Sequence, residues 1–254
     1  MAFSSPPPAR VPQIFARSSA KAKWARARDR LSQQGSAAYL HEALAEEVGE
    51  RLAFMRFDPA RALIVGDATG QLAARMPEAD LLTTRLGEFD EEAPWSAEPV
   101  DLAVHLMGLG VVNDLPGALI HARHALRGGG LFVSAFPGAG SCPALRAIAL
   151  AGDGDRPAPR MHPLVDNRAA TGLLQRAGFA RQVVDTFAIR VRFSSLGSLV
   201  SDLRDVGLTR SLATSAPPLD RAWLARAEAA FDELRGEDGK VTETFEILVL
   251  TGWR

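Results

Sequence analysis

"RALIVGDATGQLA", residues 61–73, opens on a short apolar run and closes on a loop of small residues. The run 62–65 has the length and unbroken apolarity of a strand buried on both faces. Gly66 and Gly70 flank the loop, and glycine lets a backbone pass close to another group because no Cβ intervenes. The spacing predicts a short helix over 71–76. A strand, a glycine-bearing turn and a helix make the repeating unit of open α/β sheets, where ligands bind beyond the carboxyl ends of the strands. Short strand-to-helix turns also use glycine for steric reasons alone, so the two glycines leave both readings open.

Working outward, "AAYLHEALAEEVGERLAFM" (37–55) places Tyr39, Leu40, Leu44, Val48 and Leu52 on one face of a helix. Residues 14–31 read as a basic helix. Further strands are predicted over 80–84, 101–107 and 131–136, and a helix with a glycine stop over 115–130. Residues 87–99 read as an acidic loop broken by prolines, and 137–160 as a Gly/Pro-rich connection. Downstream, helices are predicted over 167–179, 195–212 and 219–235, and strands over 182–193 and 244–253. Alternation of strands and helices in the first half implies parallel pairing with right-handed crossovers. The chain divides into a leader (1–12) expected to be disordered, an N-terminal helical cap (13–56) and an α/β domain (57–254).

Composition narrows the function classes. The chain has 254 residues, 47% hydrophobic and 23% charged, ordinary for a globular protein with a real core. A net charge of −1 provides no global field for nucleic acid. No apolar run approaches the roughly 18–20 residues that cross a bilayer. Cys142, the single cysteine, has no disulfide partner in the chain, which points to a reducing compartment. Arginine and alanine greatly outnumber lysine, a bias read as GC-rich bacterial coding, so the expected location is a bacterial cytoplasm. The first 28 residues carry no acid and are basic and serine-containing, which also fits a mitochondrial transit peptide. Ile14, Phe15 and Trp24 read instead as packing anchors of a helix that belongs to the fold.

Four segments taken in order make the reading specific: "IFARSSAKAKWARA", "VVNDLPGALIHARHALRGGGLFVSAF", "LLQRAGFARQVVDTFAIRVRFSSLGSLVSDLRDVGL" and "DGKVTETFEILVLTGWR". Together they resemble the class I S-adenosylmethionine-dependent methyltransferase superfamily. More narrowly they resemble the branch with the mitochondrial complex I assembly factor that hydroxylates an arginine, and more distantly the malonyl carrier-protein methyltransferase of biotin synthesis. The resemblance runs from about Ile14 to Arg254. It implies a Rossmann-like sheet with helices on both faces and an antiparallel last strand. It also implies S-adenosylmethionine cradled by an acid-strand-glycine turn.

The chain departs from that pattern at three places. Ile64 stands where the family's strand-end acid would be, and Ala68 where its middle glycine would be; Gly66 and Gly70 persist. Asp67 offers a displaced carboxylate or a helix cap. The second strand ends in Thr84 and Arg85 where the family has an acid for the ribose hydroxyls. The interval from there to Asp101 is too short for a crossover helix of about 12 residues and a strand of about 5 with their loops. One edge strand and its helix are therefore expected to be missing, leaving the adenine side against solvent. Glu88 or Asp90 are the nearest replacement acids. Before "VND" the family's aromatic or histidine pair is absent, while Asn113 and Asp114 remain, facing a substrate or capping the next helix.

Candidate cofactor contacts are thus Gly66, Asp67, Gly70, Thr84 and His105; candidate catalytic groups are His105, Asn113 and Asp114. His105 is expected at the mouth of the site. His162, beside Pro163, resembles a position in the family's substrate-side loop. His121 and His124 share a helix face without further metal ligands in view, and Cys142 has no partner histidine. Trp24, Arg26 and Arg28 mark the basic helix as a surface for an acidic protein partner. The deletion would expose a different sheet edge, through which two copies could pair. Two functions follow: a binding or assembly factor with weakened or lost cofactor binding, or an active S-adenosylmethionine-dependent methyltransferase or related hydroxylase.

Overall fold

The computed structural model describes residues 12–33, 35–96 and 98–254; most of the leader at 1–12 lies outside them. A six-stranded sheet runs in the order β2-β1-β3-β4-β6-β5. Its strands are β1 (Arg61–Val65), β2 (Asp80–Thr84), β3 (Val100–Leu106), β4 (Leu126–Pro137), β5 (Ala180–Phe193) and β6 (Val241–Trp253). The first four are parallel, and β6 runs antiparallel to both β4 and β5. Consecutive residues of β1 and β3 are buried almost without a break, so both faces of the central sheet are covered. β5 instead alternates, as an edge strand with one wet face does.

Eight helices flank the strands among the described residues: α1 (Arg17–Leu31), α2 (Tyr39–Met55), α3 (Gln71–Ala74), α4 (Leu115–Ala125), α5 (Pro143–Asp153), α6 (Asn167–Arg176), α7 (Leu196–Asp205) and α8 (Arg221–Glu233). On α2 the expected face is the buried one: Leu40, Leu44, Val48 and Leu52 all enter the core. Phe15 and Trp24 are buried as expected, whereas Ile14 is exposed. Between β2 and β3 there is neither helix nor strand among the described residues, so the edge unit is missing and β2 is the edge.

Several boundaries move. Helix α4 ends at Ala125 rather than in the glycines, because the chain already bridges β3 at Leu126. Residues 127–129 bulge out, exposed, before regular pairing resumes at Leu131. The Gly/Pro-rich stretch contains a helix, α5, started by Pro143 at its first turn and stopped by Gly154, the positions where proline and glycine suit helix ends. Its orphan N–H groups at Ala144 and Leu145 are taken by the buried carboxylate of Glu243 on β6. Helix α7 stops at Asp205, well short of 212, where Gly207 turns the chain with φ of 73°.

Candidate functional site

The carboxyl ends of β1, β2 and β3 converge beneath α1. Gly66 adopts φ of 86°, and a Cβ there would lie 2.5 Å from the Leu106 carbonyl. Its conformation serves close packing of the turn on β3. Gly70 adopts φ of 71° in open space. Asp67 accepts from the Ala73 N–H at 2.9 Å and so caps the four-residue α3. Thr84 contributes its backbone carbonyl to the Gly66 N–H at 3.0 Å. Ile64 is fully buried.

The acidic loop after β2 closes on α1. Glu88 pairs with Arg28 at 2.8 Å and Asp90 pairs with Arg17. All four side chains are about half exposed, so these pairs orient the loop more than they stabilise it. Gly87, with φ of 83°, lets α1 cross within van der Waals reach at Trp24 and Lys21. The basic helix thereby satisfies part of its charge within the chain: Trp24 faces inward, Arg28 is paired, Arg30 bonds Asp205 on α7, and Arg26 remains exposed.

Trp95 folds inward, its ring 5.5 Å from His105 and 6.0 Å from Phe132, while Phe89 meets Trp95 edge-on at 5.3 Å. Aromatic pairs at these separations add about 0.5–1.5 kcal/mol to their burial. The loop's own aromatic residues thus cover the end of β3 around His105. His105 is fully buried beneath them and not at a mouth. Its Nε2 lies 3.3 Å from the Glu91 carboxylate, and its Nδ1 has no partner. The left-handed Met107 (φ of 68°) swings the chain out of β3 into a 3-10 turn at Gly108–Val111. Gly108 there is indispensable, since a Cβ would stand 2.5 Å from the His105 ring.

Asn113 faces the chain's own N-terminal segment: its Oδ1 accepts from the Ile14 and Phe15 N–H groups, each at 2.8 Å, and its Nδ2 donates to the Phe15 carbonyl. Asp114 is the N-cap of α4, accepting from the Gly117 N–H at 2.8 Å. Phe15 and its neighbours are further tied to residues 211–213 by an isolated antiparallel bridge. Between α1, the loop and the 3-10 turn remains a cleft of about 50 Å³, lined by Phe15, Lys21, Trp24, Glu91 and Asn113 among others.

Two groups that sequence reasoning did not single out, Lys23 and Glu91, and one it did, His162, complete the site. Lys23 is 2% exposed, its Nζ has no hydrogen-bond partner, and burial pushes its pKa down to about 7, with nearby Glu91 offsetting part of that. Nζ stands 3.9 Å from the centroid of the Trp24 ring. His162 Nε2 accepts from the Ser211 N–H at 2.7 Å, so the ring proton resides on Nδ1. Burial, then Lys23 and Arg210, lower the His162 pKa to about 4. The available signal for Lys23 was its rarity: the chain has three lysines, Lys21, Lys23 and Lys240, amid many arginines. His121 and His124 lie on α4 away from this cluster, and no three His, Cys, Asp or Glu side chains converge for a metal among the described residues. Cys142 is buried, and that burial, reinforced by Glu243, pushes its pKa up to about 12, so it stays a thiol. No described helix is long and apolar enough to cross a membrane.

Comparison with known proteins now decides the family. The mitochondrial arginine hydroxylase NDUFAF5 of Mus musculus is 30% identical over 240 residues, spanning 83% of this chain and 70% of the relative. The chain belongs to the class I S-adenosylmethionine-dependent methyltransferase superfamily, in the branch that contains NDUFAF5. The malonyl-[acyl-carrier protein] O-methyltransferase of Laribacter hongkongensis is 28% identical over 253 residues, covering 86% of this chain and 84% of the relative. No family model matches the chain. Among solved structures, BH2331 of Bacillus halodurans C-125 and YcgJ of Bacillus subtilis each superpose with a TM-score of 0.52 over 82% of this chain and 98% of theirs. At 12% and 9% identity they establish the shared methyltransferase fold alone.

Proposed function

We propose that this member of the branch acts as a binding or assembly factor on a protein partner, with S-adenosylmethionine binding weakened or lost. The observation that carries the reading is the state of the carboxylates around the turn: Asp67 is used as a helix cap, and Glu88 and Asp90 are turned to α1. No acid side chain sits at Ile64 or Thr84. The donor set therefore does not fit a ribose held by a carboxylate, and no chemical step is derived through the cofactor. Each charge-assisted bond so lost is worth roughly 1.5–3 kcal/mol, which corresponds to about 10–100-fold in affinity. The cleft of about 50 Å³ also falls far short of the roughly 300–1,000 Å³ typical of small-molecule sites. Titration calorimetry with S-adenosylmethionine and S-adenosylhomocysteine is expected to give no heat at low micromolar ligand. Low-micromolar binding of either would sink the reading.

A second reading, an active methyltransferase or related hydroxylase, is favoured by the buried His105–Glu91 pair and by the retained left-handed turns at Gly66 and Gly70. It requires α1 and the loop at 85–95 to move aside, and the same calorimetry separates the two.

The partner surface we favour is the acidic loop with α1, where Arg26 is exposed. The free edge of β2 is our candidate for self-pairing, since an unpaired strand edge offers a row of N–H and C=O groups. Light scattering at high protein concentration is expected to report a dimer that Thr83→Pro abolishes, since residues 80 and 84 turn their backbone groups to β1 and Thr83 turns its own to the free edge; a monomer at every concentration rules the pairing out.

A further inference from the structure

We propose that the amino end of the sheet, opposite the cleft under α1, is a docking surface for a short acidic segment of a protein partner, built on Arg123, Arg181 and Arg254. Their contacts form a ring that closes on itself. Arg123 of α4 donates from Nε to the Gly178 carbonyl at 2.7 Å, just past α6. Further along the same chain segment, the Arg181 guanidinium lies 5.2 Å from the centroid of the Trp253 ring. Arg254, beside Trp253, donates to the carbonyls of His124 and Leu126, which leads back to α4. Its backbone is held by the glycines that follow α4: the Gly129 N–H donates to the Arg254 carbonyl at 2.9 Å, and the Arg254 N–H to the Gly130 carbonyl at 3.0 Å.

Two observations set this ring apart from ordinary surface charge. Arg181 is a left-handed residue, φ of 47°, in a bulge where the pairing of β5 with β6 skips from Ala180 to Val183. Bulges re-aim side chains, and this one carries the Arg181 guanidinium over Trp253. Carbonyls and an indole ring also orient guanidinium groups without cancelling their charge, so less freedom is lost when an anion arrives. The nearest acids are spent: Asp101 pairs with Arg127 at 2.8 Å, and Asp185 with Arg51 at 2.6 Å. His124 and Arg176 are exposed beside the ring and add no acid. A chain of net charge −1 thus gathers uncompensated positive charge here. The charges are carried from α4 across β6 to β5, and neighbouring strands are about 4.8 Å apart. Carboxylates about 6 Å apart along one helix face match such a row better than one compact phosphate does. Farther along the same end of the sheet stand Asp80, Glu98 and Asp101 at the starts of β2 and β3. A long polyanion such as nucleic acid would have to cross them, whereas a short acidic segment stops before them.

The test is fluorescence anisotropy of a labelled, alanine-based peptide of about 15 residues with glutamates at i, i+4 spacing, beside its glutamine counterpart, on the full chain. The glutamate peptide is expected to bind, more weakly as salt rises from about 50 to 200 mM, and the glutamine peptide to give no binding. Arg123→Gln, Arg181→Gln and Arg254→Gln are each expected to weaken binding about two- to fivefold, as exposed ion pairs do, and the triple variant by about tenfold or more. Arg190→Gln, exposed toward the far end of β5, should leave it unchanged. Should the triple variant lose its fold by circular dichroism, Arg181→Glu alone carries the test, with about a tenfold loss expected. Undiminished binding by a folded variant overturns the surface. Loss of binding on Lys21→Gln with Arg26→Gln instead places the peptide on α1 and likewise overturns it, so this inference and the partner surface on α1 fail separately. Tighter binding of single-stranded DNA of equal charge, weakened by the same arginine substitutions, overturns the assignment to a protein partner.

Discussion

Lys23→Met is expected to stabilise the docked α1 and to remove the rise in stability expected of the parent protein between pH 7 and 9. The Lys23 pKa falls from 10.5 to about 7 on burial. Below pH 7 the amine is charged in both the docked and undocked states, so the desolvation cost is present in full. Between pH 7 and 10.5 the undocked state holds a proton that the docked state has released, so stability climbs with pH. The limiting slope is about 1.4 kcal/mol per pH unit, giving on the order of 2–3 kcal/mol across pH 7–9. Methionine fills similar volume without a charge, so the variant should be flat there and more stable at pH 7 by on the order of 2–4 kcal/mol. The gain is limited by the docking energy of α1, which can open without global unfolding.

This pH window isolates the lysine. His41 and His162, both with pKa lowered to about 4 by burial, act between 4 and 6.5. Cys142, raised to about 12 from 9, begins to oppose folding only above pH 9. The measurement is urea unfolding at several pH values, with hydrogen exchange of the α1 amides alongside. A parent curve as flat as the variant's between pH 7 and 9 would mean that Lys23 is hydrated in solution.

Gly207→Ala is expected to cost about 2–4 kcal/mol and to release α1, for two separable reasons. The residue has φ of 73°, where a Cβ adds strain of about 1 kcal/mol. That Cβ would also stand 2.3 Å from Trp24 Cζ3 and 2.6 Å from Cε3, a clash with a rigid buried ring, and overpacking of this kind costs about 1–3 kcal/mol. Gly239→Ala separates the two, because Gly239 has φ of 70° with nothing within 4 Å; it should lose only the strain, about 1 kcal/mol. Combining Gly207→Ala with Trp24→Ala should be less than additive by 1 kcal/mol or more. Equal losses from the two glycine variants, or strict additivity with Trp24→Ala, would show that α1 is not held at this contact.

The sheet was legible because its signal is local. Residues 62–65 are apolar at every position, and 101–107 and 131–136 are broken only by Asp101, His105 and Ser134; a strand covered on both faces buries such runs. The missing edge unit was legible for a simpler reason: the chain from Thr84 to Asp101 is too short for it. Helix α5 was not, because glycines and prolines surround it, although Pro143 at its start and Gly154 at its end were its own signals. The residues of the turn at 61–73, Ile64 and Ala68 among them, are read directly from the chain.

What the sequence by itself determined is the family, the order of the strands along the chain, and which residues stand around the turn. All of these are written in contiguous residues or in segment order. Only the tertiary structure decided which side chains meet. Asp67 became a cap, Asn113 a clamp on residues 14 and 15, and Trp95 the cover of His105. Phe15 and His162 lie far apart in the chain and their rings meet edge-on at 5.4 Å only because the fold brings the N-terminal segment over the residues near 162. The burial that shifts a pKa belongs to that packing and has no counterpart in the residues next to Lys23 along the chain.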